Sequence, residues 1–500
     1  MEAIFSQLGE GFLYCLQPSS ILVMLCFTII GIIFGSIPGL SATMAVSLFL
    51  PLTFAMEAKL GFSLLIALYI GAISGGLIAA ILLNIPGTPS SIVTCFDGHP
   101  MAKKGEAGKA LGMGIVYSFL GGLLSFVALI FLAPSLADVA LRFSPIEYFS
   151  VCVLALAMIT TISTGNFLVG VLAGMFGLML ATTGLSPIDG IPRYSLGIEN
   201  LTSGFDIVPA MIGIFAISEA LGAAERINAL KEAKTLELKP IKGFGFTLIE
   251  FAEQKWNYLR SSIIGTCIGI LPGIGGSTSS FLAYIAAKSS SKNPESFGTG
   301  NPAGVVASES ANNATIGGAL IPLLALGIPG DSVTAVLLGG FMIHGLTPGP
   351  LLFINSVDLV YSVFAACLVV NVMMLCVEFY FIRGFVRLLL VPKYILMPII
   401  LVMCTVGAYA LNNRLFDVQS IFYFGIVGYL MSKFRVSVAP LILGFILGNL
   451  VETNLLRGMM MTDGSFIPFL TRPLSGFFLA VTVILLMYSI IKELRRALQA

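Results

Sequence analysis

The residues best placed to do chemistry in this chain follow four Pro-Gly pairs, Pro38-Gly39, Pro86-Gly87, Pro272-Gly273 and Pro329-Gly330, each of which cuts an apolar segment. Proline removes a backbone donor and stops a helix, and glycine permits the φ angles that a reversal needs. Non-helical backbone at membrane depth survives only where protein or a watery cavity satisfies its polar groups, so these breaks should surround a cavity. Hydroxyl, amide or acid residues follow each one: Ser41 and Thr43; Thr88, Ser90 and Ser91; Ser277, Thr278 and Ser279; Asp331, Ser332 and Thr334. A helix restarting there would aim unpaired N–H groups and its positive dipole end inward, making an anion site without a fixed positive charge. The plainer alternative at any single break is a kink with an N-cap, or a Gly-x-x-x-Gly that packs two helices.

Two further groups join the candidates. Asn84 precedes Pro86 among apolar residues and, as a buried amide, would need a carboxylate or a cation as partner. The stretch ASESANNATIGG carries Glu309, Asn312 and Asn313 into an apolar run. An ionisable residue inside a membrane is by default a functional candidate, with the headgroup region as the alternative for Glu309. Asp331 is the one acid adjoining a Pro-Gly tip. It is either an N-cap or, with carbonyls freed between Gly327 and Gly330 and with Asn312 or Asn313, a holder of a coupling cation, Na+ ahead of H+. His99 and His344, the only histidines, sit beside loops and make a poor metal site. No H-E-x-x-H or G-x-S-x-G is present, and Gly105 to Ala110 lacks the spacing of a P-loop, so no enzyme is expected and no cofactor beyond the coupling cation.

The elements that must position these residues are membrane helices. Of 500 residues 57% are hydrophobic and 10% charged, with mean hydropathy +1.00, whereas a soluble domain is about 25% charged. Apolar runs near the roughly 20 residues needed to cross a bilayer recur from Ile21 to Ile491, giving about 12 crossings, some short or broken. Net charge is +1, so nothing suggests nucleic acid. The amino terminus has no basic residue or cleavage site and does not read as a secretory signal. Eight scattered cysteines without C-x-x-C spacing argue against a metal cage or disulfide framework.

Residues 223 to 260 read as a basic cytoplasmic linker between 1–222 and 261–500, and the loops at Lys103, Arg383 and Lys433 fall on the same side. The apolar runs counted between these landmarks are even in number, as a shared side requires. The two halves share a pattern. Gly31, Gly35, Pro38 and Gly39 match Gly265, Gly269, Pro272 and Gly273; Gly75, Pro86 and Gly87 match Gly318, Pro329 and Gly330. The first half's second motif is followed by a Lys-rich loop, the second half's by HGLTPGP with no basic residue, so the halves should point opposite ways. Parity before Lys103 supports this only if Ser91 to Phe96 also completes a crossing. The fold expected is an all-α polytopic membrane protein with two inverted-topology repeats and Pro-Gly-broken or re-entrant helices, the pattern of secondary transporters.

At these residues the chain resembles the large membrane subunit of the tripartite tricarboxylate transporters, the TctA family. The stretches that carry the resemblance are GIIFGSIPGLSATMAVSLFLPLTF, YIGAISGGLIAAILLNIPGTPSS, GILPGIGGSTSSFLAYIAAKS and ASESANNATIGGALIPLLALGIPGDSVTAVLLGG. The resemblance implies a permease in a bacterial inner membrane. It would work with a small four-helix membrane subunit and a periplasmic substrate-binding protein that delivers citrate or another carboxylate, with uptake driven by an ion gradient. A channel or a structural membrane scaffold is the rival reading.

Overall fold

In hydrocarbon every backbone N–H and C=O must be satisfied inside its own segment, which favours helix throughout so apolar a chain. The computed structural model describes residues 2–162, 167–225, 245–388 and 393–499. Among them the only sheet is the two-residue pairing of β1 (Gly184–Leu185) with β2 (Pro192–Arg193). The first half comprises α1 (Glu2–Cys15), α2 (Pro18–Ser36), α3 (Ala42–Phe49), α4 (Ala58–Leu83), α5 (Thr94–Met101), α6 (Ala107–Ala140), α7 (Pro145–Ile162) and α8 (Phe167–Ala181). It closes with α9 (Ile207–Gly222). Then follow α10 (Leu248–Glu253), α11 (Lys255–Ile270), α12 (Gly275–Ser289), α13 (Pro302–Leu326), α14 (Ser332–Ile343), α15 (Val357–Leu388), α16 (Lys393–Asn412), α17 (Leu415–Lys433), α18 (Ala439–Met461) and α19 (Pro473–Gln499).

Among the described residues seven helices are long and apolar enough to cross a membrane, and shorter apolar helices of 10–17 residues accompany them. The protein is therefore an all-α polytopic membrane protein. One expected segment differs in form. Ser91 to Phe96 is no full span: a single turn at Pro89–Ile92 leads into α5, which bends at Gly105 (φ 86°) into α6, so parity before Lys103 lends opposed halves no support. The break expected at Pro272 is present, α11 ending at Ile270 and α12 beginning at Gly275. Of the expected linker, 226–244, with Arg226, Lys231, Lys234, Lys239 and Lys242, lies outside the described residues; Lys255 and Arg260 belong to α11.

The described linker ends bear on the basic loops. Lys109 pairs with Glu250, and Lys433 pairs with Glu225 at 2.9 Å. The segments read from charge as sharing a side thus meet in space.

Backbone approach through glycine sets the packing. A Cβ on Gly35 of α2 would lie 2.0 Å from Ala72 O of α4, and one on Gly75 would lie 2.5 Å from Ile32 O. In the second half a Cβ on Gly269 of α11 would lie 2.6 Å from Thr315 O of α13, and one on Gly318 would lie 2.4 Å from Thr266 O. Without a hydrophobic force between helices in lipid, such close van der Waals contact is what holds them together. α4 and α13 are the helices so clasped, and both are buried almost throughout.

Candidate functional site

The four breaks form two kinds of tip. After α2, Gly39 takes φ 90°, and after α11, Gly273 takes φ 75°, the left-handed region that favours glycine. After α4, Asn84 caps the helix at φ 56°, and after α13, Gly327 does so at φ 72°. Chain beyond these caps turns back along the helix it has left. A Cβ on Gly87 would sit 2.9 Å from Gly76 Cα, and one on Gly330 would sit 2.6 Å from Ala319 Cα. Pro86 and Pro329 therefore lead two re-entrant tips, and Pro38 and Pro272 lead the breaks that face them.

Three of the four restarts carry a capping side chain, whereas α12, after Pro272, has none. Ser41 Oγ accepts from Met44 N at 3.1 Å and opens α3. Thr88 and Ser91 form a capping box, as do Asp331 and Thr334, where Asp331 Oδ1 accepts from Thr334 N at 2.8 Å. The tips also touch one another. Gly273 N donates to Gly330 O at 2.8 Å, and Thr43 Oγ1 and Ser332 Oγ lie 3.1 Å apart. Between them is a cavity of 290 Å³, lined from the expected set by Ser41, Thr43, Thr88, Ser90, Gly273, Ser277, Asp331 and Ser332. The helix starts of α3, α12 and α14 all border it. Its lining includes no Lys, Arg or His and does include the acids Asp331 and Glu219, so helix ends and hydroxyls are the positive and donor groups that face it.

Sequence reasoning missed Glu219 of α9, which lines the cavity and accepts from Ser41 Oγ at 2.5 Å. Its signal was an acid inside an apolar run. Tyr69 was also unexpected; its hydroxyl donates to Asp331 Oδ2 at 2.5 Å. Both Asp331 oxygens are thus engaged, one by the cap and one by Tyr69.

Other expected residues lie apart. Asn84 is exposed, contrary to the expectation of a buried amide, because it sits at the far end of α4, beyond the tip that folds back. Gly39 makes the first turn but does not line the cavity. Gly87 and Gly330 serve packing: their Cβ positions would fall 2.1 Å from Gly35 O and 2.5 Å from Gly269 O. Ser279 bonds Thr315 at 2.6 Å between α12 and α13, and Thr278 is half-buried beside it. Glu309 is fully buried in α13. It accepts from Thr94 Oγ1 and Ser118 Oγ. Asn313 Nδ2 donates to Ser118 Oγ at 2.8 Å. Asn312 makes no side-chain hydrogen bond and abuts Gly276 and Ser90 of the cavity wall.

His99 is 8% exposed, with Nδ1 3.0 Å from Ile81 O, and His344, half-buried in the turn after α14, packs on Phe62 with rings 5.9 Å apart. Near His99 the Asp97 carboxylate is fully buried. Its Oδ1 accepts from the backbone N–H of Gly298, Gly300 and Asn301 at 2.7–2.9 Å, and Oδ2 accepts from Tyr284 at 2.9 Å. No group of three or more His, Cys, Asp and Glu that could hold a metal exists among the described residues.

A helical membrane protein whose broken helices meet at an internal polar cavity belongs to the general class of membrane transport proteins. Residues 21–443 match the model of the Tripartite tricarboxylate transporter TctA family. An uncharacterized 52.8 kDa protein in the TAR-I ttuC' 3' region of Agrobacterium vitis is 35% identical over 497 residues, 99% of this chain and 98% of that protein. A second Agrobacterium vitis protein, in the TAR-II ttuC' 3' region, is 36% identical over 231 residues, 46% of this chain and 96% of that protein. No solved structure matches. The chain belongs to the TctA family, a transporter family whose members are large subunits of tripartite systems.

Proposed function

We propose that this chain is the permease subunit of a tripartite, ion-gradient-driven uptake system in a bacterial inner membrane. It carries citrate or another di- or tricarboxylate handed over by a periplasmic substrate-binding protein, and it works beside a small four-helix membrane subunit. The observation that carries this reading is the meeting of all four Pro-Gly tips at one cavity, with three helix starts and several hydroxyls aimed into it. Carboxylates suit that field, and the tips supply backbone N–H groups without a competing cation.

Opposed halves are part of the proposal. That the halves are repeats is supported by Gly31, Gly35, Gly75 and Gly87, which approach the same relative backbone positions as Gly265, Gly269, Gly318 and Gly330 do; that they are opposed rests on the charge of their flanks. Alternating access would rock one half against the other about the fixed cavity. An inside-negative membrane opposes entry of a multiply charged anion, so cations must enter with it. The proposed cation is Na+, with H+ second, and Asp331, Glu309, Asn312 and Asn313 are the residues proposed to hold it.

Proteoliposomes test this. The chain reconstituted with its small subunit and binding protein should accumulate a radiolabelled carboxylate from a panel of di- and tricarboxylates, only under a cation gradient. The chain alone, without the binding protein to capture substrate, should transport little at micromolar substrate. Gradient-independent, non-saturating flux would make it a channel instead.

A further inference from the structure

A second cavity, of 430 Å³, lies along the same helices as the first but away from the Pro-Gly tips. Val208 of α9, Ile343 of α14 and Asn449 of α18 line it, whereas Glu219, Ser332 and Ala439 of those three helices line the first. Its wall also holds Asp206 and Asn412 and no Lys, Arg or His. At this wall two acids meet on one amide. Asn412 Nδ2, at the end of α16, donates to Asp206 Oδ2 at 3.0 Å and to Asp417 Oδ2 of α17 at 2.9 Å. Asp206 Oδ1 accepts from Val208 N at 2.8 Å. Asp417 is 0% exposed, and its Oδ1, the other oxygen of the carboxylate that reaches Asn412, has no hydrogen-bond partner.

Helix starts explain part of this arrangement. Asp206 is the N-cap of α9, and Asp417 stands in the first turn of α17, where an acid suits the helix dipole. Neither role brings two carboxylates onto one neutral amide or leaves a buried carboxylate oxygen unmet. Burying such a charge without a counter-charge is strongly unfavourable. No ion pair reaches either acid among the described residues. Arg414, three residues before Asp417, donates to Asn200 O at 3.2 Å and lies over the Phe416 ring. Two negative charges thus face each other across Asn412, and a single proton or monovalent ion offsets only one of them. A divalent ion offsets both. Ca2+ accepts an irregular set of carboxylate, amide and water oxygens, whereas Mg2+ demands a near-ideal octahedron.

We propose that Asp206, Asp417 and the Asn412 side chain bind a single Ca2+ at the wall of this second cavity. Binding turns the Asn412 amide over, so that Oδ1 replaces the N–H groups between the two carboxylates. No third His, Cys, Asp or Glu joins the pair among the described residues, so water from the cavity completes the coordination shell. The ion fastens the start of α9 to the turn between α16 and α17, and α9 is the helix that carries Glu219 to the first cavity. The site shares no residue with the one proposed for the coupling cation, and Ca2+ binding does not depend on the transport reading.

The test is equilibrium binding of 45Ca2+ to the full chain in nanodiscs of zwitterionic lipid, paired with thermal unfolding. Wild type binds about one Ca2+ per chain saturably, and the ion raises its unfolding temperature by mass action. Asp206→Asn and Asp417→Asn each weaken binding by at least about tenfold, since ligand charge count sets cation affinity. Asparagine keeps the α9 cap. Both variants lose the Ca2+-dependent rise in unfolding temperature, which separates a lost ligand from a lost fold. Glu10→Gln, on α1, leaves both readouts at their wild-type values. Where Asp417→Asn does not elute as a monodisperse peak, Asp206→Asn and Asn412→Ala carry the test, the second weakening binding severalfold. Absence of saturable binding, wild-type affinity in the folded variants, or displacement of Ca2+ by an equal concentration of Na+ overturns the site.

Discussion

The two halves of the molecule agree in their backbone and differ in their polar chemistry. Gly35 and Gly269 press against carbonyls of the helices they clasp, and the Thr88–Ser91 and Asp331–Thr334 capping boxes occupy matching places after Gly87 and Gly330. Yet Thr88 is neutral where Asp331 is acidic. The far end of one hairpin is fastened through Asp97 to the loop at 298–301, whereas the far end of the other presents His344 to Gly61 and Phe62. The lesson is that close helix packing tolerates little variation and is preserved, while side chains around the shared cavity are free to take separate tasks.

The comparison breaks most completely if the halves share an orientation. Single cysteines in place of Lys103 and Gly345 should label from opposite sides of intact cells with an impermeant thiol reagent; labelling from the same side would end the inverted reading. Next in size is the packing itself. Gly35→Ala and Gly269→Ala each drive a Cβ into backbone, at 2.0 and 2.6 Å, where no flexible side chain can yield. Each should cost about 1–3 kcal/mol or more, seen as lost monodisperse protein on heating, with Gly35 the worse. Tolerance at one site alone would show that the matching contacts are not equivalent.

Asp331→Asn sharpens the difference between the tips. Asparagine keeps the N-cap, so protein abundance should hold while uptake falls and the Na+ requirement rises. Wild-type uptake would leave Asp331 a cap like Thr88. The smallest effect is expected at the Lys109–Glu250 tether. The Lys109 hydrogen bond, with the Thr247 backbone N–H, holds the Glu250 carboxyl down at about 2, from 4.5. A lowered value means that the contribution is present above about 4.5 and is lost as pH falls toward about 2. Because the pair is partly solvated, Glu250→Gln should shift stability at neutral pH by at most about 1 kcal/mol, measured by thermal unfolding.

The sequence made the tips legible because proline and glycine act locally: the breaks at Pro38, Pro86, Pro272 and Pro329 need no distant partner to be recognised. Of the hydroxyls next to them, Ser41, Thr43, Thr88, Ser90, Ser277 and Ser332 border a cavity, since a residue that opens a helix lies where the break lies, whereas Ser91, Thr278, Ser279 and Thr334 do not. Asn84 misled because a tip that folds back leaves its preceding cap far from the point of return, a fact of three dimensions. Glu219 and Glu378 were passed over although each is an acid within or beside an apolar run. Their partners, Ser41 and Ser74, are 178 and 304 residues away, and no periodicity links them. Asp97 likewise depends on a backbone nest that only the folded loop creates.

That nest has a mechanical consequence. The arm from Thr88 through α5 is gripped at its Asp97 end by four hydrogen bonds from the other half, three from the loop at 298–301 and one from Tyr284 of α12. At its tip, the hydrogen bonds of Thr88 link it only to Ser90 and Ser91 within the same turn. Between the two ends Thr94 Oγ1 donates to Glu309 of α13, so the arm is tied to the other half at more than one point. An arm held so must follow any shift of that half and carry Ser90 at the cavity with it.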